Sequence, residues 1–144
     1  MELLNPLTVQ RARATFAAKS FLATCLSTDL VGDCVYSRAD PGLDGIYQVE
    51  RADPRDPAKV PAVGVIIEKL TGTSCWVQWI GELPSGGLVH SRQAFVGPDG
   101  RLTQDATLLV PLVGGVLFVQ NMGVAMSPNI LLLMPNFSLV KRVG

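Results

Sequence analysis

From residue 33 onward, the apolar and polar positions of the chain change over short distances, as they do in β-strands. Residues 46–51 (IYQVER) alternate apolar and polar side chains, which predicts a strand with one buried face. Residues 34–38, 62–70 and 74–80 are further strand candidates, and Thr71-Gly72-Thr73 joins the last two as a hairpin connection. Six or more short strands with turns about every 8–12 residues are typical of a barrel or sandwich.

Residues 94–135 are predicted to form the central β-sheet unit against which the other strands of the chain pack. A strand at 94–97 and a Pro-Asp-Gly turn precede two apolar runs, 115–126 (GVLFVQNMGVAM) and 129–135 (NILLLMP). Residues 108–126 have nearly the length of about 20 apolar residues that a transmembrane helix needs. Pro111, the Gly114-Gly115 pair and Gln120-Asn121 argue against such a helix and favour buried strands.

Two smaller features support a closed β-structure. Gly64 and Gly123 occupy similar positions in two predicted hairpins, and glycine within a strand usually marks a bulge or a close backbone approach. Such kinks would let the hairpins fold over one another into a small barrel. The tail 137–143 predicts a last edge strand, where Lys141-Arg142 would discourage further pairing.

Residues 1–28 differ from the rest and predict a separate N-terminal segment, followed by a β-barrel domain at 29–144. Thr8 is a possible cap for a helix over 9–22, which contains several alanines. The apolar residues in this segment do not form a clean helical stripe. Two alternatives stay open: a short helix packed on the barrel, and an extended arm that orders against a partner.

The amino-acid composition mainly indicates which kinds of molecule the protein could bind. The 144 residues fit one domain; 48% are hydrophobic and 17% are charged, which suggests apolar surface hidden against another chain. A monomer with an unusually apolar core is the alternative. The net charge of zero gives no reason to expect nucleic-acid binding. The three cysteines form no CxxC pair, which favours reduced structural thiols in an intracellular setting, and no secretory signal is evident.

The sequence offers few candidates for chemistry. His90 is the single histidine, no GxSxG accompanies it, and a zinc site would lack ligands. The loop acids Asp53, Asp56, Asp99 and Asp105 lie beside Pro or Gly or in other turn positions, where Asp serves turn geometry. Trp76 and Trp79 are three residues apart and therefore on opposite faces of a strand, so one of them could stack a ligand. We expect no catalytic residue, cofactor or metal.

Four stretches in order resemble a known class of protein: residues 32–36 (GDCVY), 61–66 (PAVGVI), 95–103 (FVGPDGRLT) and 119–127 (VQNMGVAMS). They are similar to small β-domains of tailed-phage virion proteins, including head decoration (cement) proteins and some fibre domains. The resemblance implies a mostly β, often trimeric protein on the outside of the capsid, bound to the major capsid protein. It also implies assembly in the host cytoplasm and an extended arm that clasps neighbouring subunits.

The prediction is therefore an all-β capsid decoration protein with an N-terminal arm, not an enzyme, that binds neither nucleic acid nor membrane. The alternative is a receptor- or glycan-binding tip domain of a phage fibre. An exposed aromatic platform near Trp76 or Trp79 would support this alternative. A small β-barrel hydrolase using His90 is a third, weaker interpretation. The predicted partner-binding residues are the apolar and basic side chains of the arm: Leu7, Val9, Arg11, Arg13, Phe16, Lys19 and Phe21.

Overall fold

The computed structural model describes residues 17–144, and strands dominate this part of the chain. The strands are β1 (Lys19–Thr24), β2 (Cys34–Ala39), β3 (Tyr47–Arg51), β4 (Ala62–Thr71), β5 (Ser74–Pro84), β6 (Gln93–Val96), β7 (Leu102–Thr103), β8 (Val116–Val119), β9 (Asn121–Ser127), β10 (Ile130–Leu133) and β11 (Val140–Val143). Two single-turn 3-10 helices, Pro57–Lys59 and Ala106–Leu108, lie in the loops. The predicted all-β fold is confirmed.

The first five strands close on themselves. Their order is β1-β3-β2-β4-β5, and β1 also pairs with β5, so these strands form a small barrel. The closing contact between β1 and β3 is parallel and short, Ala23 lying opposite Tyr47 and Thr24 opposite Gln48. The other pairings in the barrel are antiparallel. Closure leaves few unpaired strand edges in this half of the molecule.

Strand β5 connects the barrel to a second set of strands. Its first part pairs with β1 and β4, while its last residues, from Gly81 to Pro84, pair with β10. Gly81 has a φ of 98°, and a Cβ atom there would lie 2.4 Å from the carbonyl oxygen of Ala17. The buried Gln78 amide donates to the carbonyls of Ile80 and Glu82 at 3.3 and 3.0 Å. Gly81 and the Gln78 side chain thus allow β5 to continue from the barrel into the second set of strands.

The second set of strands continues from β5 in the order β10-β9-β6-β7. The neighbouring strands β2 and β4 separate two hydrophobic cores, one on each face of these strands. Val35 and Ile66 point into the barrel core, whereas their neighbours Cys34 and Val65 point into the other core. Because successive strand residues face opposite sides, strands covered on both faces are apolar at consecutive positions. This explains the continuous apolar stretches in β2 and β4.

A short ribbon completes the fold. β8 and β11 pair with each other as a separate two-stranded sheet, with Val140 opposite Val119 and Val143 opposite Val116. The long apolar stretch 108–126 is therefore divided among a 3-10 turn, β8 and β9, as the glycines and proline predicted. Among residues 17–144, no helix has the length and hydropathy to span a membrane.

The N-terminal boundary was predicted wrongly in part. Residues 19–24, assigned to the arm, form β1, because Phe21 and Ala23 alternate with outward residues and pack against the barrel core. Leu22 also lies directly opposite Trp76 of β5. The remainder of the predicted arm lies outside the described residues.

Both glycines predicted to mark kinks have that role. A Cβ atom at Gly64 would lie 2.4 Å from the carbonyl oxygen of Gln78, on the neighbouring strand β5. A Cβ atom at Gly123 would lie 2.0 Å from the carbonyl oxygen of Leu132, and Gly123 has a φ of 146°. The backbones approach too closely at both places for any side chain.

Candidate binding surfaces

One end of the barrel opens into an aromatic groove of about 450 Å³, which we call the mouth groove. Inward-facing positions of all five barrel strands extend to this end, so the groove continues the barrel core toward solvent. Its walls are Phe21, Ser37, Tyr47, Val49, Val63 and Trp79, with Phe137 from the segment before β11. Ligand sites are often found at the mouths of β-barrels.

The aromatic rings of the mouth groove are partly ordered by contact with one another. Phe21 and Tyr47 meet edge to face, with ring centroids 5.3 Å apart and an interplanar angle of 73°. Trp79, Tyr47 and Phe137 are 42%, 52% and 61% exposed, so their faces are available to a ligand. The polar side-chain groups in the lining are the hydroxyls of Ser37 and Tyr47 and the indole N–H of Trp79, and no lining residue is charged. This chemistry suits an uncharged group that stacks on aromatic rings.

A second surface lies on the ribbon and the loop that precedes it. It consists of large apolar side chains that are between 47% and 103% exposed: Leu108, Val110, Leu112, Val113, Val140 and Val143. We call these six residues the ribbon patch. The loop and β11 are held together by a hydrogen bond of 2.7 Å from Arg142 Nη1 to the carbonyl of Leu109. Val140 and Val143 face opposite sides of the ribbon, because side chains alternate along a strand. Several exposed apolar side chains on one loop and one ribbon are typical of surfaces that contact other proteins.

The structure separates the predicted partner-binding residues into two groups. Lys19 and Phe21 lie in β1; Lys19 is exposed, whereas Phe21 is half-buried between the barrel core and Tyr47. Phe21 is therefore a wall of the mouth groove rather than part of a free arm. The other predicted residues, Leu7, Val9, Arg11, Arg13 and Phe16, lie outside the described residues.

The loop acids have the turn roles that the sequence predicted. The carboxylates of Asp53, Asp56, Asp99 and Asp105 each accept a hydrogen bond from the backbone N–H two residues later, at 2.9 to 3.0 Å. The hydroxyl and backbone N–H of Thr107 also lower the pKa of Asp105. In the described part of the chain, no three His, Cys, Asp or Glu side chains are grouped as metal ligands.

His90 is exposed in the turn before β6 and makes no hydrogen bond within residues 17–144. Its neighbour Ser91 has a left-handed φ of 67°, and the Ser91 N–H donates to the carbonyl of Ala125 at 2.9 Å. This strained residue anchors the turn to β9.

The three cysteines are free and buried, as the sequence predicted. Burial, followed by the negative charge of Asp33, strongly raises the pKa of the Cys34 thiol. Burial and a hydrogen bond with the Cys25 thiol raise the pKa of Cys75 to about 12. Neutral, inaccessible thiols are poor nucleophiles, so these residues serve packing.

Sequence reasoning identified Trp79 as a possible platform but missed most of the mouth groove and the loop part of the ribbon patch. Phe21, Tyr47 and Trp79 are distant in sequence, and barrel closure brings them together. The signal available was the in-phase spacing of Phe21 and Ala23 in β1 and of Cys25 directly after it. No known family model, characterised protein or solved structure matches this chain.

Proposed function

We propose that the protein is a structural component of a phage virion, a decoration protein that binds the major capsid protein and reinforces the head as a homo-oligomer such as a trimer. The ribbon patch is the observation that supports this proposal most. Six large, exposed apolar side chains on one loop and one ribbon of a charge-poor chain represent surface that a second protein would cover. The resemblance of four stretches to virion β-domains supplies the identity of the partner.

Because many copies bind one particle, modest individual contacts are sufficient for stable attachment to the head. A particle that offers repeated sites holds each oligomer through several contacts at once, which raises the overall affinity far above that of one contact. The barrel supplies a rigid body for this purpose, because most of its strand edges are paired. The ribbon patch supplies apolar contact area, and the exposed Lys19 adds positive charge that guides association.

The test is cosedimentation with heads prepared without the protein. We expect the double variant Leu112→Ser/Val113→Ser to lose binding by at least about tenfold, because two exposed apolar contacts are removed. Leu43→Ser is the control, since Leu43 is even more exposed than Leu112 and Val113 but lies in the loop between β2 and β3. Equal binding of the wild-type protein and the double variant would contradict the role of the ribbon patch.

The arm is tested separately by deleting residues 1–16. A longer deletion would remove β1 and open the barrel, so its failure would be uninformative. We expect the truncated protein to remain folded and to bind heads more weakly than the full chain. Unchanged binding would exclude a role for the arm.

The mouth groove favours a second candidate, a receptor- or glycan-binding domain of a fibre. The apolar faces of sugar rings stack on exposed aromatic rings, and Trp79 and Tyr47 provide such faces. A glycan array followed by tryptophan fluorescence titration tests this candidate. Trp79→Ala should abolish binding, whereas Trp76→Phe, outside the groove, should retain it; absence of binding to any glycan by the wild-type protein would eliminate the candidate.

A further inference from the structure

The outer edge of β11 carries backbone groups that no strand within residues 17–144 pairs with. The Gly144 N–H donates to the carbonyl of Gly115 at 3.0 Å, which continues the β8–β11 register by one residue. Hydrogen-bonded and non-hydrogen-bonded pairs alternate along an antiparallel ladder. Val140 and Arg142 therefore bond toward β8, while the N–H and C=O groups of Lys141 and Val143 point away from it.

The side chains along this edge combine one charge with apolar surface. Lys141 and Val143 lie on the same face as their opposite residues in β8, Phe118 and Val116, both of which are half-buried. All four residues of β11 are exposed, and Val143 is 73% exposed. Lys141 forms no ion pair in the described part of the chain. An added strand would meet a positive charge and an apolar side chain two residues apart.

A second copy of β11 does not fit this edge. Two copies of β11 can pair at this edge only through the free backbone groups of Lys141 and Val143. The two antiparallel registers with the most overlap then place either Lys141 opposite Lys141 of the second copy or Arg142 opposite Arg142 of the second copy. Like charges directly opposite each other destabilise a sheet. Residues 1–16 of the chain are also a poor match, because they contain Arg11 and Arg13 and a single acid, Glu2.

We propose that the outer edge of β11 binds an acidic extended segment of another protein as an added strand. A carboxylate of that segment lies opposite Lys141, and an apolar side chain two residues away lies opposite Val143. Backbone hydrogen bonds then give affinity and the paired side chains give selectivity. This inference rests on the proposed function, since it specifies the partner chemistry of the ribbon patch.

Amide hydrogen exchange of the full chain tests the free state. We expect the amides of Lys141 and Val143 to exchange at least about tenfold faster than those of Val140 and Arg142, which serve as internal controls. Protection of Lys141 and Val143 that grows with protein concentration would identify a second copy as the occupant. Protection that is independent of concentration but lost on deleting residues 1–16 would identify the chain's own segment. Either result would overturn the proposal.

Binding is tested with the synthetic peptide acetyl-Thr-Val-Thr-Glu-Thr-Val-Thr-amide, followed by NMR of the labelled protein. We expect shifts centred on β11 and slower exchange of the Lys141 and Val143 amides. The same peptide with Lys in place of Glu should bind about fivefold more weakly, since attraction becomes repulsion. Lys141→Glu should reverse this preference. No shift at β11 with either peptide, or a preference unaffected by Lys141→Glu, would overturn the proposal.

The two proposals fail in different ways. If the peptide result is negative while Leu112→Ser/Val113→Ser still abolishes binding to heads, the ribbon patch contacts the head without strand addition. If the peptide result is positive while heads are not bound, the edge recognises an acidic segment of a protein other than the capsid.

Discussion

The side chain of Gln120 pairs with the backbone of Ala62 as a neighbouring strand would. Its Oε1 accepts a hydrogen bond from the Ala62 N–H at 2.7 Å, and its Nε2 donates to the Ala62 carbonyl at 2.8 Å. Both residues are fully buried. The Gln120 amide, in the link between β8 and β9, thus satisfies the backbone N–H and C=O of Ala62, the first residue of β4. Water has no access to these buried groups.

Replacing Gln120 should therefore be costly. In Gln120→Leu, the N–H and C=O of Ala62 lose their partners, and buried unsatisfied groups cost about 1–3 kcal/mol each. We expect the free energy of unfolding in urea to fall by about 2–5 kcal/mol. Gln93→Leu is the control, because Gln93 is exposed on β6 and should change stability by less than about 0.5 kcal/mol. Similar losses for the two variants would show that the amide pairing does not stabilise the fold.

Gly123 should tolerate no side chain. Gly123→Ala combines a strained φ of 146° with a Cβ atom 2.0 Å from the Leu132 carbonyl oxygen, so the β9–β10 pairing must shift. We expect a loss of at least about 2 kcal/mol in the free energy of unfolding.

Gly86→Ala is the matched control for this glycine. A Cβ atom at Gly86 would meet nothing within 4 Å, and Gly86 has no positive φ. This substitution should leave the midpoint of thermal unfolding unchanged or raise it slightly. A Gly123→Ala protein of unchanged stability would contradict the close approach of the β9 and β10 backbones at this position.

The sequence predicted local features well and distant pairings poorly. Alternation located most strands, and turn chemistry placed the loop acids, because both depend on residues close in the chain. The four stretches on which the predicted resemblance rests, residues 32–36, 61–66, 95–103 and 119–127, are neighbours in space. Arg101 Nε lies 3.3 Å from the Asp33 carboxylate, joining the first stretch to the third, while Gln120 and Ala62 join the fourth to the second.

No local pattern could have predicted these contacts. The ion pair between Asp33 and Arg101 depends on Gly100, whose carbonyl accepts from the Cys34 N–H at 2.8 Å and whose φ is 79°. β1 was missed for a related reason. This six-residue strand is short and mixed in polarity, and its conformation is stabilised by pairing with residues of β5 that lie 50 to 61 positions later in the chain.

The buried thiols should be unreactive in the folded protein. We expect Ellman's reagent to modify none of the three cysteines at neutral pH without denaturant, and all three in guanidinium chloride. The reason is twofold: the thiols are inaccessible, and burial raises the pKa values of Cys34 and Cys75, which keeps the thiols protonated. Rapid modification of one thiol per chain under native conditions would contradict this packing role.

Tyr36 should make stability depend on alkaline pH. Its hydroxyl donates a hydrogen bond to the Glu50 carboxylate. Burial, and then this hydrogen bond and the charge of Glu50, raise the pKa of Tyr36 from 10.0 to about 12. Between these values the unfolded chain loses the phenolic proton while the folded protein keeps it. The stabilisation is therefore fully present below pH 10 and is lost as the pH rises toward about 12.

The measurement uses Tyr47→Phe, which leaves Tyr36 as the single tyrosine of the chain. We expect the phenolate absorbance of this variant to appear with a midpoint near pH 12 when folded and near pH 10 in denaturant. Glu50→Gln should move the folded midpoint downward, because the amide removes the negative charge while its oxygen still accepts the hydrogen bond. A folded midpoint at pH 10 in Tyr47→Phe, or no change with Glu50→Gln added, would show that Glu50 does not hold the proton on Tyr36.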